Sequence, residues 1–248
     1  MHNTRYFEIP LGRVEWAEYL CADRSALTRE LAKMQDQLTG ALVGLARATE
    51  NNDHLLSDST ASVVVESLFT TLTNVNFDNE RFHRLLDRVD AEKRKLVPDC
   101  FTCTSQCGRN NEYDMNRLWN ADEDVRSLKS LILFGIRGVA AYAYHAAVLG
   151  YRDELIHRFL YKAFFAIGMD DWGMNELLPI VLEVGEVNLR CMALLDKANT
   201  EVFGHPQPTE VGLTVEKGPF IVVTRHDLND LKRLLEQTAG KGLNIYTH

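Results

Sequence analysis

The stretch Gly218–His248, GPFIVVTRHDLNDLKRLLEQTAGKGLNIYTH, constrains the architecture of this 248-residue chain more than any other. Phe220, Ile221, Val222 and Val223 make a β-rich run that stops at Thr224-Arg225-His226. Leu228, Leu231, Leu234 and Leu235 then recur at helical spacing, with Asp227 placed as N-cap and Gly240 as stop. Leu243–Tyr246 reads as a second short strand. A β-α-β crossover makes two parallel, neighbouring strands. It puts His226 at the carboxyl end of the first, where open α/β sheets bind their ligands. Parallel sheets are normally covered on both faces, which one helix cannot do. The chain is therefore expected to stop inside a domain, with His226 accessible and a strand edge open.

Upstream the apolar period changes from strand to helix. Leu27, Leu31, Met34, Leu38, Leu42 and Leu45 predict an amphipathic helix ending near Glu50, followed by a polar loop over Asn51–Ser59. A second helix is expected over Val63–Thr73, and a third from Phe82 through Leu85, Leu86 and Val89 to the charged segment closed by Pro98. Asp99–Asn120 reads as a loop. Three more helices follow over Asp122–Gly150, Tyr151–Ile167 and Asn175–Asn199, with Pro179 near the first turn of the last. Thr200–Pro219 is a proline-rich linker. The predicted fold is mainly α: two three-helix bundles, then the start of a Rossmann-like parallel α/β domain that is truncated. The expected divisions are a leader over 1–26, a helical domain over 27–217 and the β-α-β unit over 218–248.

A net charge of −8 and a pI near 5.5 argue against nucleic acid as a partner, since phosphate binding needs a basic face. Met1–Leu20 carries charges throughout and has no apolar signal-peptide core. Leu131–Gly150 approaches membrane-spanning length, but Arg137 and His145 interrupt it. An arginine at mid-bilayer costs about 2.5 kcal/mol or more, so a buried core helix is the better reading, and no membrane partner is expected. Five cysteines, three of them clustered, suit a reducing compartment; a cytoplasmic location is expected.

The cluster is Cys100-x2-Cys103-x3-Cys107, thiolates spaced closely enough to ligate one metal or cluster. A mononuclear zinc or a cubane wants four ligands. Cys21 is a candidate fourth with no pattern to support it, and packing as small hydrophobes is the competing role. Cys191 and His145 fall on apolar helices and read as core residues, while His157, His205 and His248 read as surface or loop positions. Glu183 and Glu186 share a helix face. Asp227 and Asp230 suit a helix N-terminus. No phosphate-cradling glycine loop follows the strand, so the unit is not a dinucleotide fingerprint, and no catalytic side chain is assigned.

T-x-H-D-L-x-D-L in Thr224–Leu231, followed by a Leu-rich helix and N-I-Y-T-H, resembles the hybrid-cluster protein family of iron–sulfur hydroxylamine reductases. The resemblance extends in order through Leu68–Phe82, Asp122–Tyr151 and Gly185–Thr209. The nickel carbon monoxide dehydrogenases share the architecture, but these strings favour the hybrid-cluster family. The resemblance implies that His226 ligates a mixed iron–sulfur–oxygen cluster. It also implies that the family's next ligand, a glutamate, lies just past the position of His248, with further cysteines beyond. The family's clustered N-terminal cysteines, which hold a cubane, have no counterpart in Met1–Leu20, and Arg225 stands where the family usually has glycine. A small nitrogen oxide such as hydroxylamine, reduced to ammonia, is the implied substrate. An electron donor feeding the cubane is the implied partner. This chain alone is expected to be inactive. Two alternatives stay open: a non-enzymatic helical module pairing with a second copy or another chain at its open sheet edge, or a small metal-binding protein using Cys100, Cys103 and Cys107.

Overall fold

A computed structural model of the chain describes residues 24–49, 57–72, 78–96, 113–224 and 227–247, with side chains from residue 31 onward. Helix α1 (Arg24–Thr49) buries the predicted stripe of Met34, Leu38, Leu42 and Leu45. Helix α3 (Asn79–Leu96) turns Phe82, Leu85, Val89 and Leu96 towards it. Each of these side chains contributes about 1.5–3 kcal/mol by leaving water.

Helix α2 (Asp58–Thr70) begins earlier than its β-branched residues predict. Ser57 and Thr60 form a capping box: Ser57 Oγ accepts from Thr60 N at 3.2 Å and Thr60 Oγ1 from Ser57 N at 3.4 Å. Threonine in place of the usual Glu or Gln at the third helical position hides this signal in the sequence. The same turn is tied to α3. Thr60 Oγ1 and Ser59 Oγ donate to the buried Glu92 carboxylate at 2.8 and 2.9 Å, and Lys95 Nζ lies 2.7 Å from it. Burial disfavours the charged form of Glu92, but hydrogen bonds from Lys95, Thr60 and Ser59 outweigh it and hold the carboxyl below its ordinary range.

The expected loop before Asn120 contains a short helix, α4 (Asn116–Trp119), which buries Leu118 completely. It is docked by the close approach of Tyr113 to α1, where Tyr113 N donates to Gly40 O at 3.2 Å. A Cβ on Gly40 would lie 2.2 Å from Tyr113 O, so only glycine allows the contact.

Helices α5 (Glu123–Val148), α6 (Glu154–Gly168) and α7 (Met174–Phe203) form the second triple. One hydrophobic core runs through both triples, because α1 packs on α6 and α2 on α5. Pro179 falls in the second turn of α7, past the first-turn position the sequence suggested, and one backbone donor is lost there. By length and composition α5 alone among the described helices could cross a membrane. Only its inner face is core: Ile132, Leu133, Ile136, Val139 and Ala140 are buried, while Leu131, Phe134 and Val148 are exposed. The sequence expectation of a buried core helix is corrected to a helix buried on one side only.

After a long linker, β1 (Phe220–Val223) and β2 (Asn244–Thr247) pair in parallel across α8 (Leu228–Thr238), with Phe220 opposite Asn244 and Val223 opposite Thr247. Tyr246 hydroxyl accepts from Glu216 N at 2.8 Å and Pro219 O from Asn244 N at 3.0 Å, pinning the linker to the sheet. Phe220 and Val222 remain exposed, and α8 has no buried residue.

Candidate functional site at the head of the last helix

β1 ends at Val223 and α8 begins at Leu228, so His226 falls in the sequence between them; Arg225 and His226 themselves lie outside the described residues. What the structure describes is the clamp on the residue after them. Asp227 has extended backbone, and its Oδ1 accepts from Asp230 N at 2.8 Å, the N-cap its sequence position predicts. Its other oxygen, Oδ2, lies 2.7 Å from Nδ1 of His145 in the last turn of α5. A carboxylate only accepts, so the imidazole proton sits on Nδ1 in this pair.

His145 is held from the other side by aromatic contacts. Phe69 of α2 stacks flat on Tyr144 at 4.1 Å, and both rings meet His145 edge-on, at 5.5 and 6.0 Å. The histidine read as a core residue is thus a half-exposed one at the junction between the helical body and the β-α-β unit. It is satisfied by a partner that no local pattern links to it. Asp153 repeats the device at the head of α6: Oδ1 caps through Leu155 N at 2.9 Å, and Oδ2 meets Arg190 Nε of α7 at 2.6 Å.

The cysteine run Cys100, Cys103 and Cys107 also lies outside the described residues, as do Cys21 and His248. The described positions flanking it are Leu96, buried at the end of α3, and Tyr113, docked on α1. Arg47 lies over the Tyr113 ring at 5.5 Å and donates to Gly168 O, while Arg117 meets Asp170 at 2.7 Å. Burial, reinforced by Asp170, raises the Tyr113 phenol above its ordinary pKa.

The remaining candidates divide clearly. Cys191 is fully buried, donates to Val139 O at 3.4 Å, and burial pushes its thiol up to about 12, so it stays a protonated core residue. Glu183 is taken up by Lys162 and forms no acid pair with Glu186. His157 is half-buried rather than a surface residue, and burial lowers its pKa. Among the described residues no three His, Cys, Asp or Glu side chains converge as metal ligands, so these residues alone do not fit an iron cluster.

Residues 26–248 match the Prismane/CO dehydrogenase family, and the chain belongs to that family. It is similar to the hydroxylamine reductase of Solidesulfovibrio magneticus, 39% identical over 236 residues, with 88% of this chain and 44% of that protein covered. The hydroxylamine reductase of Maridesulfovibrio salexigens is 40% identical over 234 residues, covering 89% and 44%, respectively. That of Methanocaldococcus jannaschii is 38% identical over 233 residues, covering 88% and 43%. The chain thus spans about 44% of the length of the curated relatives it matches.

Proposed function

We propose that this chain is the N-terminal helical and first α/β portion of an iron–sulfur hydroxylamine reductase, with His226 as its contribution to a hybrid iron–sulfur–oxygen cluster. The observation that carries the reading is the match over 26–248, which takes in His226 and the clamped Asp227 beside it. The whole reaction would reduce hydroxylamine, or a related small nitrogen oxide, to ammonia. In the family a donor protein's electrons enter through a cubane whose cysteines have no counterpart in Met1–Leu20, so a reduced dye stands in as donor in the test below. The described residues do not make up a ligand set, and beside His226 their part is positioning. Asp227 fixes the first turn of α8, and His145 fixes Asp227 against the helical body. We infer a cytoplasmic setting, in keeping with clustered cysteines and an acidic chain without a nucleic-acid partner. The open edges of β1 and β2 are a place for further strands of the same or another chain.

The test is anaerobic co-expression of the chain with a polypeptide corresponding to the remainder of a full-length relative, assayed with a reduced dye as donor. Turnover with both parts, none with either alone, and loss of bound iron in His226→Ala support the proposal. Turnover by this chain alone, or iron content indifferent to His226→Ala in the assembled pair, refutes it. Cys103→Ala measures whether the cysteine run binds metal: unchanged metal content removes that role.

A further inference from the structure

Inside the helical body most polar side chains are paired, which makes the unpaired ones informative. Among the described residues Tyr161 Oη is buried without a hydrogen-bond partner, in a residue only 6% exposed. The hydroxyls of Ser67 and Thr70 are also alone. A helical serine or threonine, however, can swing back to its own backbone, as Ser62 does to Asp58 O at 2.8 Å. A phenol has no such recourse, because its oxygen stands at the end of a rigid ring. The other unpaired phenol, Tyr113, adjoins residues outside the described ones, whereas Tyr161 lies in the middle of α6. Burial, with the charge of Glu92 added, raises the Tyr161 pKa, so the group stays a protonated donor. Buried donors are rarely left unmet.

The acceptor side of the gap is Glu92 on α3, whose two oxygens are unequally used. Oε1 accepts from Ser59 Oγ at 2.9 Å and from Lys95 Nζ at 2.7 Å. Among the described residues Oε2 accepts only from Thr60 Oγ1, at 2.8 Å. A carboxylate offers roughly four lone-pair sites, so Oε2 has an acceptor place left. The Glu92 charge acts on the Tyr161 phenol, yet the two groups form no direct bond. His157, one turn before Tyr161 on the same face of α6, feels the charge of Asp58 in the first turn of α2. This face of α6 therefore lies beside the turn that carries Thr60 and holds Glu92.

We propose that one internal water sits between Tyr161 Oη and Glu92 Oε2, accepting from the phenol and donating to the carboxylate. Internal waters are held by about two to four polar groups that lack other partners, and this pair supplies an unmet donor and an open acceptor place. The ligand is water rather than a cation, because Lys95 Nζ already neutralises the carboxylate. Direct bonds join α2 to α3 through Glu92, and the water carries the same carboxylate across to α6. The first helical triple is thereby tied to the second at a polar point within a largely apolar core. The inference stands independently of the cluster chemistry.

Thermal unfolding of the intact chain tests it by sign. If the phenol were stranded without water, Tyr161→Phe would remove a buried unmet donor and raise the midpoint. With the water in place, Tyr161→Phe should lower the midpoint, by about 2–4 °C for one hydrogen bond in a chain of this size. In a Glu92→Gln background, where the carboxylate end of the bridge is already weakened, the same substitution should cost roughly half as much or less. High-resolution diffraction from crystals of the chain should show a single water peak within hydrogen-bond distance of both oxygens. A midpoint raised or unchanged by Tyr161→Phe overturns the proposal, as does an equal loss in both backgrounds. So does a side chain or backbone group found in the gap in place of water, or a direct bond between Tyr161 and Glu92.

Discussion

The first helical triple and the second half of the chain use the same residue types and finish differently. In α1–α3 the apolar side chains are consumed by the shared core, and the polar ones are tied down, as Glu92 is by Ser59, Thr60 and Lys95. Among the described residues, every large apolar side chain left exposed lies at or beyond Leu131. The lesson is that helix formation and helix burial are separate requirements. A helix such as α7 is stabilised on one face by α5 and α6 and still offers a second apolar face that stays exposed among the described residues.

That contrast is broken most easily by truncation. Phe82→Ala, in the closed triple, should cost about 3–5 kcal/mol in chemical denaturation, whereas Leu178→Ala, on the outer face of α7, should cost a dilute monomeric sample less than about 0.5 kcal/mol. Equal losses would mean that the second half is closed as well. Next in size is Gly40→Ala, where the new methyl group meets Tyr113 O. A destabilisation of about 1–3 kcal/mol is expected, with α4 released from α1, read by quenching of Trp119 fluorescence. Asp227→Ala should remove a cap worth about 1 kcal/mol and the partner of His145. Amide exchange in α8 should then quicken about fivefold while that of α1–α3 is unchanged. Slowed or unaltered exchange in α8 would remove Asp227 from its clamping role.

The smallest effect sharpens the comparison through pH. Burial lowers the pKa of His157 in the folded chain, so between that value and 6.5 the unfolded chain binds more protons than the native one. Stability should therefore rise with pH through this window and flatten above 6.5. His157→Gln should shallow the slope below pH 6.5. An unchanged slope would show that the imidazole is solvated.

Much of this was legible in sequence because it is local. The run Phe220–Val223, the leucine spacing of α8 and the cap at Asp227 are each written within a few residues, and the structure places all three where expected. The stripes of α1 and α3 follow from their period alone. What was not legible depends on partners far along the chain. No pattern at Gly40 announces Tyr113, and none at His145 announces Asp227. The four residues of α4 are too few to show a period. The outer face of α5 was read as core because apolar residues look alike in sequence whichever side they face. The candidate ligands came from motif and spacing, and His226, Cys100, Cys103 and Cys107 lie outside the described residues, so geometry adds only their flanks.

The bond from Arg47 to the carbonyl of Gly168 spans 121 residues. During synthesis at roughly 5–20 residues per second, α1 waits about 6–24 seconds for that partner helix to be made. In the interval α3, arriving first, is the cover available for Leu38, Leu42 and Leu45. The ordering of helices along the gene thus doubles as a schedule: α1–α3 are translated first and can begin to bury one another, and the half that keeps exposed apolar surfaces emerges when those helices already exist to receive it.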